Sequence, residues 1–302
     1  MSAVTNPRAE NRTLELALLG LLALLWGSSY LLIKVALATI PPFTLIAIRV
    51  VVAAALLLAV VRLRGERLPR EPATWGNVVV QAFLNSIGAW TVLAWGQQYV
   101  DSALAGVLNS TSPIFVFLLT LLWTRDEPVT LRKAIGALLG LVGVVLLVGV
   151  DALAGIGQQA VAQLAVLFGA FLYGCAALNG RRFAAMPPTV TAAATMICAA
   201  LVLVPAALLI ERPWPFAPSD LSLAAALALG VLCTGVALLI YFRLLRTLGA
   251  IGVTSQSYLR SGITVLLGVA VLGEHVTPKV GIGLLAIVLG VAAINAPSRK
   301  RS

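Results

Sequence analysis

Apolar positions in this chain neither alternate nor keep to one helical stripe. They run on all round for stretches of about 20 residues, broken by short polar punctuation. Ten such runs lie near 14–36, 43–62, 75–97, 102–123, 131–150, 162–181, 189–210, 220–243, 249–271 and 278–295. A helix rises 1.5 Å per residue and needs about 20 apolar residues to cross a bilayer core. The pattern predicts an all-α membrane protein of ten transmembrane helices, with no room for a soluble domain. The first run exceeds the roughly 7–15 residues of a signal core and carries Lys34 near its end, so it reads as a span.

The pattern also repeats. Shifted by 147 residues, Trp26-Gly27 meets Tyr173-Gly174, Pro41 meets Pro188, Thr44 meets Thr191 and Gly88 meets Gly235. Over 127–144 eight positions are identical: Glu127/Glu274, Val129/Val276, Thr130/Thr277, Ile135/Ile282, Gly136/Gly283, Leu138/Leu285, Gly143/Gly290 and Val144/Val291. Chance gives about two in so apolar a stretch. Each repeat holds five spans, 1–150 and 151–302, within one integral membrane domain. Five is odd, so the second repeat enters the membrane upside down. Inverted repeats of this kind build secondary transporters, with the substrate site near the midplane between the halves.

Composition agrees with this reading: 60% of the 302 residues are hydrophobic and 11% charged, against about 25% charged in soluble domains. The net charge of +10 concerns topology rather than nucleic acid. With a cytoplasmic N-terminus, Arg8, Arg12, Arg62, Arg64, Arg67, Arg70, Arg125, Arg132, Lys133, Arg181, Arg182, Arg243, Arg246, Arg299, Lys300 and Arg301 all fall on that side, and only Arg212 and Lys279 opposite. That bias predicts a multi-pass membrane protein with both termini cytoplasmic. Cys175, Cys198 and Cys233 lie inside apolar runs without metal-binding spacing, and no cofactor or metal is expected.

Polar side chains persist in a membrane helix where they face a partner helix or water. In the first span Trp26, Ser29, Tyr30, Ile33 and Lys34 share a face, with Ser28 pointing away. In the third, Gln81, Asn85, Gly88, Val92 and Trp95 align, with Trp90 opposite. Further spans add Arg49, Asn109, Ser112, Pro113, Tyr173, Tyr241, Ser255, Gln256 and Arg260. Asn109 and Gln256 are repeat partners, suited either to a cavity wall around a pseudo-twofold axis or to holding helices together. Trp26, Trp95, Tyr173 and Tyr241 sit deep or beside glycines, unlike Trp75, Trp123 and Trp214 at span ends. Gly136, Gly140, Gly143, Gly281, Gly283 and Gly290 form small-residue stripes for close packing. Pro113 predicts a kink in the fourth span beside Asn109.

Several motifs resemble a known family. Trp26-Gly27-Ser28-Ser29-Tyr30 is followed by Arg49, by Ala103-Leu104-Ala105-Gly106 with Pro113, and by Asp126-Glu127-Pro128-Val129-Thr130 before Gly136. The second half echoes these with Ala250-Ile251-Gly252, Gly273-Glu274-His275-Val276-Thr277 and Gly283. Order, spacing and duplication together resemble the EamA-type transporters of the drug/metabolite transporter superfamily, and bacterial aromatic amino-acid exporters within it. The resemblance implies ten helices in two inverted five-helix repeats, a central cavity and export of small metabolites, often amino acids. The second half departs at Tyr173-Gly174-Cys175 and at Arg260, which stands where Pro113 does.

Charge narrows the solute. Every Asp and Glu falls in a connection, a tail or a span end, so the embedded glutamate of the superfamily's cationic-drug/proton antiporters has no counterpart. Facilitated or gradient-driven movement follows. The interior cations are Lys34, Arg49 and Arg260; Arg49, about a turn and a half into its span, either snorkels to the interface or faces inward. Basic groups without buried acids favour a substrate with a carboxylate, such as an amino acid, or a phosphate. The expected partners are that solute and the lipid bilayer, with a monomer sufficient and a homodimer allowed. Phosphorylated or nucleotide-linked solutes are the alternative. An intramembrane enzyme needs a nucleophile–base pair, paired aspartates or metal ligands in the spans, and no GxSxG or HExxH occurs.

Overall fold

The computed structural model describes residues 7–124, 131–148, 158–183, 185–214, 217–247, 256–275 and 277–295. Among them lie ten helical rods: α1 (Pro7–Ala36), α2 (Pro42–Leu63), α3 (Pro72–Gly96), α4 (102–124), α5 (Leu131–Val148), α6 (Gln158–Gly180), α7 (Pro188–Glu211), α8 (220–247), α9 (Gln256–Leu272) and α10 (Pro278–Asn295). Seven of the described segments have the length and apolarity of a bilayer span, and parts of α9 and α10 are shorter apolar helices. This is a multi-pass, all-α membrane protein. The residues 125–130, Ala250-Ile251-Gly252, Ser255 and Val276 lie outside the described set.

Proline sets several starts. Pro42, Pro72 and Pro188 occupy first-turn positions of α2, α3 and α7, where a missing N–H costs nothing because that donor has no intrahelical acceptor. At α2 and α4 a carboxylate from a distant segment satisfies first-turn donors. Glu211, at the end of α7, accepts from Phe43 N at 2.9 Å and Thr44 N at 2.7 Å. Gly273, at φ +67°, turns the chain after α9; Glu274 then accepts from Ser102 N at 2.8 Å and Ala103 N at 2.9 Å at the start of α4. Both acids sit at the positive ends of helix dipoles.

Helix contacts follow the repeat. α1 packs on α8 and α9, as α6 packs on α3 and α4; α2 meets α7 and α5 meets α10. The motif glycines mark the same symmetry. A Cβ on Gly27 would lie 2.8 Å from Ile263 of α9, and one on Gly174 would lie 3.1 Å from Phe115 of α4. Gly140, Gly143 and Gly290 close the α5–α10 seam, but Gly281 has no neighbour within 4 Å, so the predicted stripe does not extend to it.

Three irregularities reshape the centre. α4 breaks at Ser110-Thr111 before Pro113. The carbonyl of Asn109, four residues before a residue without N–H, instead accepts from Ser112 Oγ at 2.7 Å. α3 carries a π turn at Phe83–Gly88 and α8 one at Val231–Val236, within one residue of equivalent positions in the repeat. In the α8 turn, Thr234 Oγ1 donates to Leu229 O, five residues back, at 2.8 Å. Such wide turns insert about one residue into a helix and are frequent at functional sites.

Candidate functional site

A buried polar cluster draws residues from α1, α2, α3, α4, α6, α8 and α9. Arg49 does not snorkel: it is 4% exposed, and Trp90 is 6% exposed. Its guanidinium carbon lies 3.9 Å from the centre of the Trp90 ring, a cation–π contact that strengthens when water is excluded. Its Nε donates to Thr234 Oγ1 at 2.8 Å. Arg49, from α2, is thus held by one residue just beyond the α3 π turn and one inside the α8 π turn.

Around it stand the tyrosines. Asn109 Nδ2 donates to the Tyr30 hydroxyl, and Tyr173 packs against the core that contains Tyr30 and Trp90. Tyr173 is within electrostatic reach of Tyr30, Arg49 and Arg260. The Nε of Arg260 is buried without a hydrogen-bond partner. Gln256, the repeat partner of Asn109, is buried nearby at the start of α9, and Ser110 of the broken α4 pairs with Ser261 of α9. Neither Arg49 nor Arg260 meets a carboxylate among the described residues.

The other predicted residues fall elsewhere. Lys34 Nζ donates to Gln97 O at 2.9 Å and Val100 O at 3.1 Å, capping the C-terminal end of α3 with a cation. Trp26 and Tyr241 lie 5.4 Å apart, their rings tilted by 42°, in a separate cluster with Leu19, Leu22, Ala237 and Leu244. Ser29 Oγ donates to Trp26 O within its own helix at 2.6 Å. Ser28, expected to point away, approaches Cys233 Sγ of α8 at 3.8 Å. Gln81 accepts from Asn179 at 2.9 Å near the α6 end, Asn85 donates to Ser86 at 3.2 Å, and Trp95 meets Tyr99 edge-on at 5.3 Å. Gln81, Asn85 and Trp95 do not join the Arg49 cluster through any of these contacts.

Two members of the cluster escape a sequence reading at 3.6 residues per turn. Trp90, assigned to the face opposite Gln81 and Trp95, is brought inward because the π turn rotates everything beyond Gly88. Thr234 gives no signal of its own; its π turn is betrayed only by Gly235, the repeat partner of Gly88.

At the opposite end of the bundle from Lys34, Glu15 of α1 accepts from Arg243 NH2 of α8 at 2.9 Å and from Thr247 Oγ1 at 2.8 Å. The buried Glu15 and the half-buried Glu211 and Glu274 are therefore committed to partners at helix ends, away from the central cations.

The EamA-like transporter family matches this chain twice, over residues 14–149 and 160–296. The chain is similar to the uncharacterized inner membrane transporter YedA of Escherichia coli strain K12, 28% identical over 91% of this chain and 88% of that protein. It is also similar to the uncharacterized transporter YvbV of Bacillus subtilis strain 168, 25% identical over 95% of this chain and 93% of that one. A solved crystal structure covers 91% of this chain and 94% of its own, with 25% identity and a TM-score of 0.65. Two family matches on a ten-helix bundle of repeat-related contacts leave one conclusion: this chain is a membrane transporter belonging to the EamA-like transporter family.

Proposed function

We propose that this transporter exports small carboxylate-bearing metabolites, amino acids first among them and aromatic or apolar ones in particular, across a bacterial inner membrane. Both termini lie in the cytoplasm on this reading, as the arginine-rich connections require. The observation that carries the proposal is the pair of interior guanidinium groups, Arg49 and Arg260, beside Tyr173 with no carboxylate among the described residues. A guanidinium offers a carboxylate two parallel N–H donors, and Arg260 has a buried donor to give. Lys34 is not assigned to the solute, its ammonium donating to the carbonyls of Gln97 and Val100 just beyond α3. The Tyr30, Trp90 and Tyr173 rings supply flat apolar walls for the rest of the solute. The Trp26–Tyr241 pair stands on the path between this cluster and the Glu15–Arg243 end.

Alternating access then moves the α4 break and the π turns of α3 and α8, the irregular backbone next to the cluster. The site stays fixed while the bundle opens at one end and closes at the other. A monomer contains the whole cluster.

Counterflow tests the proposal. Purified protein in liposomes preloaded with an unlabelled amino acid is expected to accumulate the labelled one transiently, and to do so for amino acids and organic acids but not nucleosides. Counterflow confined to phosphorylated solutes favours the alternative that two interior cations serve a phosphate. Failure with every amino and organic acid overturns the proposal.

A further inference from the structure

Both central cations remain in place when the substrate has left. Arginine does not lose its proton in a protein, and an ionised group buried without a counter-ion is strongly disfavoured. The carboxylates that might have neutralised the pair are committed elsewhere: Glu15 to Arg243, Glu211 to the start of α2 and Glu274 to the start of α4. The hydroxyls beside the arginines are also poised to donate. Tyr30 accepts from Asn109, whose amide nitrogen can only donate. Tyr30 therefore keeps its own proton, and neither the Tyr30 nor the Tyr173 hydroxyl donates to a described residue. Arg260 lies against α1 at Gly27, one turn from Tyr30, and its neighbour Ser261 pairs with Ser110, next to the Asn109 that meets Tyr30. Tyr173 is within electrostatic reach of Tyr30, Arg49 and Arg260, so these donors and charges face one region.

We propose that the resting transporter holds a small monovalent anion, chloride or a free carboxylate, between Arg260 and the Tyr30 and Tyr173 hydroxyls. The inference rests on the reading of this cluster as the carboxylate subsite and extends it. Substrate enters by displacing the anion, and the site crosses back with an anion aboard. Transport is then an exchange of one anionic group for another rather than movement of an empty carrier.

Thermal unfolding of the purified full-length protein tests this at constant ionic strength, with a bulky sulfonate salt replaced stepwise by chloride, or in parallel by acetate. The melting temperature is expected to rise by several degrees and to saturate, because an anion that binds only the folded state stabilises it by mass action. A rise with chloride alone identifies an inorganic anion, and a rise with both identifies any small monovalent one; either supports the site. Arg260→Gln is expected to flatten the response and Arg260→Lys to retain it, whereas Lys279→Gln, on an exposed residue, leaves it unchanged. Should Arg260→Gln fail to fold, Tyr173→Phe is expected to move the half-saturation point about tenfold higher, the value of one lost hydrogen bond. A flat response in the parent protein, or an unaltered saturating one in Arg260→Gln or Tyr173→Phe, overturns the proposal. Absent counterflow with the saturating rise intact would instead sink the carboxylate-carrier reading and leave the anion site standing.

Discussion

An Arg49→Met variant is expected to lose transport about 100-fold while melting no lower than the parent. The two effects separate because Arg49 is costly to bury and its neighbours do not need it. Its charge lies against a ring and a hydroxyl, with no acid among the described residues. Replacing buried ionic groups by apolar ones of similar volume is often neutral or stabilising. Thr234 Oγ1 keeps its bond to Leu229 O when the guanidinium has gone. Transport suffers because removing one partner of a buried charge pair costs about 2–5 kcal/mol, and each 1.4 kcal/mol is a factor of about ten. Arg49→Lys keeps the charge but loses the flat stacking surface and the Nε donor, so it should fall between the two. A methionine variant that unfolds would make Arg49 a fastener of α2 to α3 and α8, not a substrate group.

The largest effect on folding is expected at Gly290. A Cβ there would lie 2.7 Å from the backbone nitrogen of Gly140 and 2.5 Å from the carbonyl oxygen of Gly136. Both are main-chain atoms of α5, so no side chain can swing aside and the α5–α10 seam must open. Overpacking of this kind costs about 1–3 kcal/mol or more, and most of it falls already on alanine. Gly290→Ala should lower the melting temperature by several degrees, and Gly290→Val should yield little folded protein in detergent. Gly281, nine residues earlier in the same helix, is the contrast: its Cβ position is open. Gly281→Ala should be neutral or slightly stabilising, since alanine is worth about 0.5–1 kcal/mol over glycine inside a helix. Equal melting temperatures for Gly290→Ala and Gly281→Ala would contradict the close α5–α10 approach.

The contrast between those glycines shows what the sequence can and cannot carry. Span count, the repeat and the pairing of Gly27 with Gly174 follow from composition and periodicity, which average over many residues. The α4 break followed from Pro113, whose missing N–H acts locally whatever surrounds it. Arg49, Asn109, Tyr30, Tyr173, Gln256 and Arg260 stood out because polar groups in apolar spans are few; Asn109 meets Tyr30, and Tyr173 is within electrostatic reach of Tyr30, Arg49 and Arg260. Lys34 stood out for the same reason, yet its partners are main-chain carbonyls of Gln97 and Val100, which have no sequence signature. Trp90 was lost because one π turn invalidates the helical phase of every residue beyond it.

The central claim is that a buried guanidinium reads the carboxylate of the solute. Competition in the counterflow assay tests it most directly, setting a transported amino acid against its own amide, matched in shape but without the anionic group. Phenylalanine and phenylalaninamide are the natural pair to begin with. The account predicts that the amino acid competes and that the amide fails by about 100-fold, the worth of a lost charge-assisted contact. Equal competition by the two would contradict it.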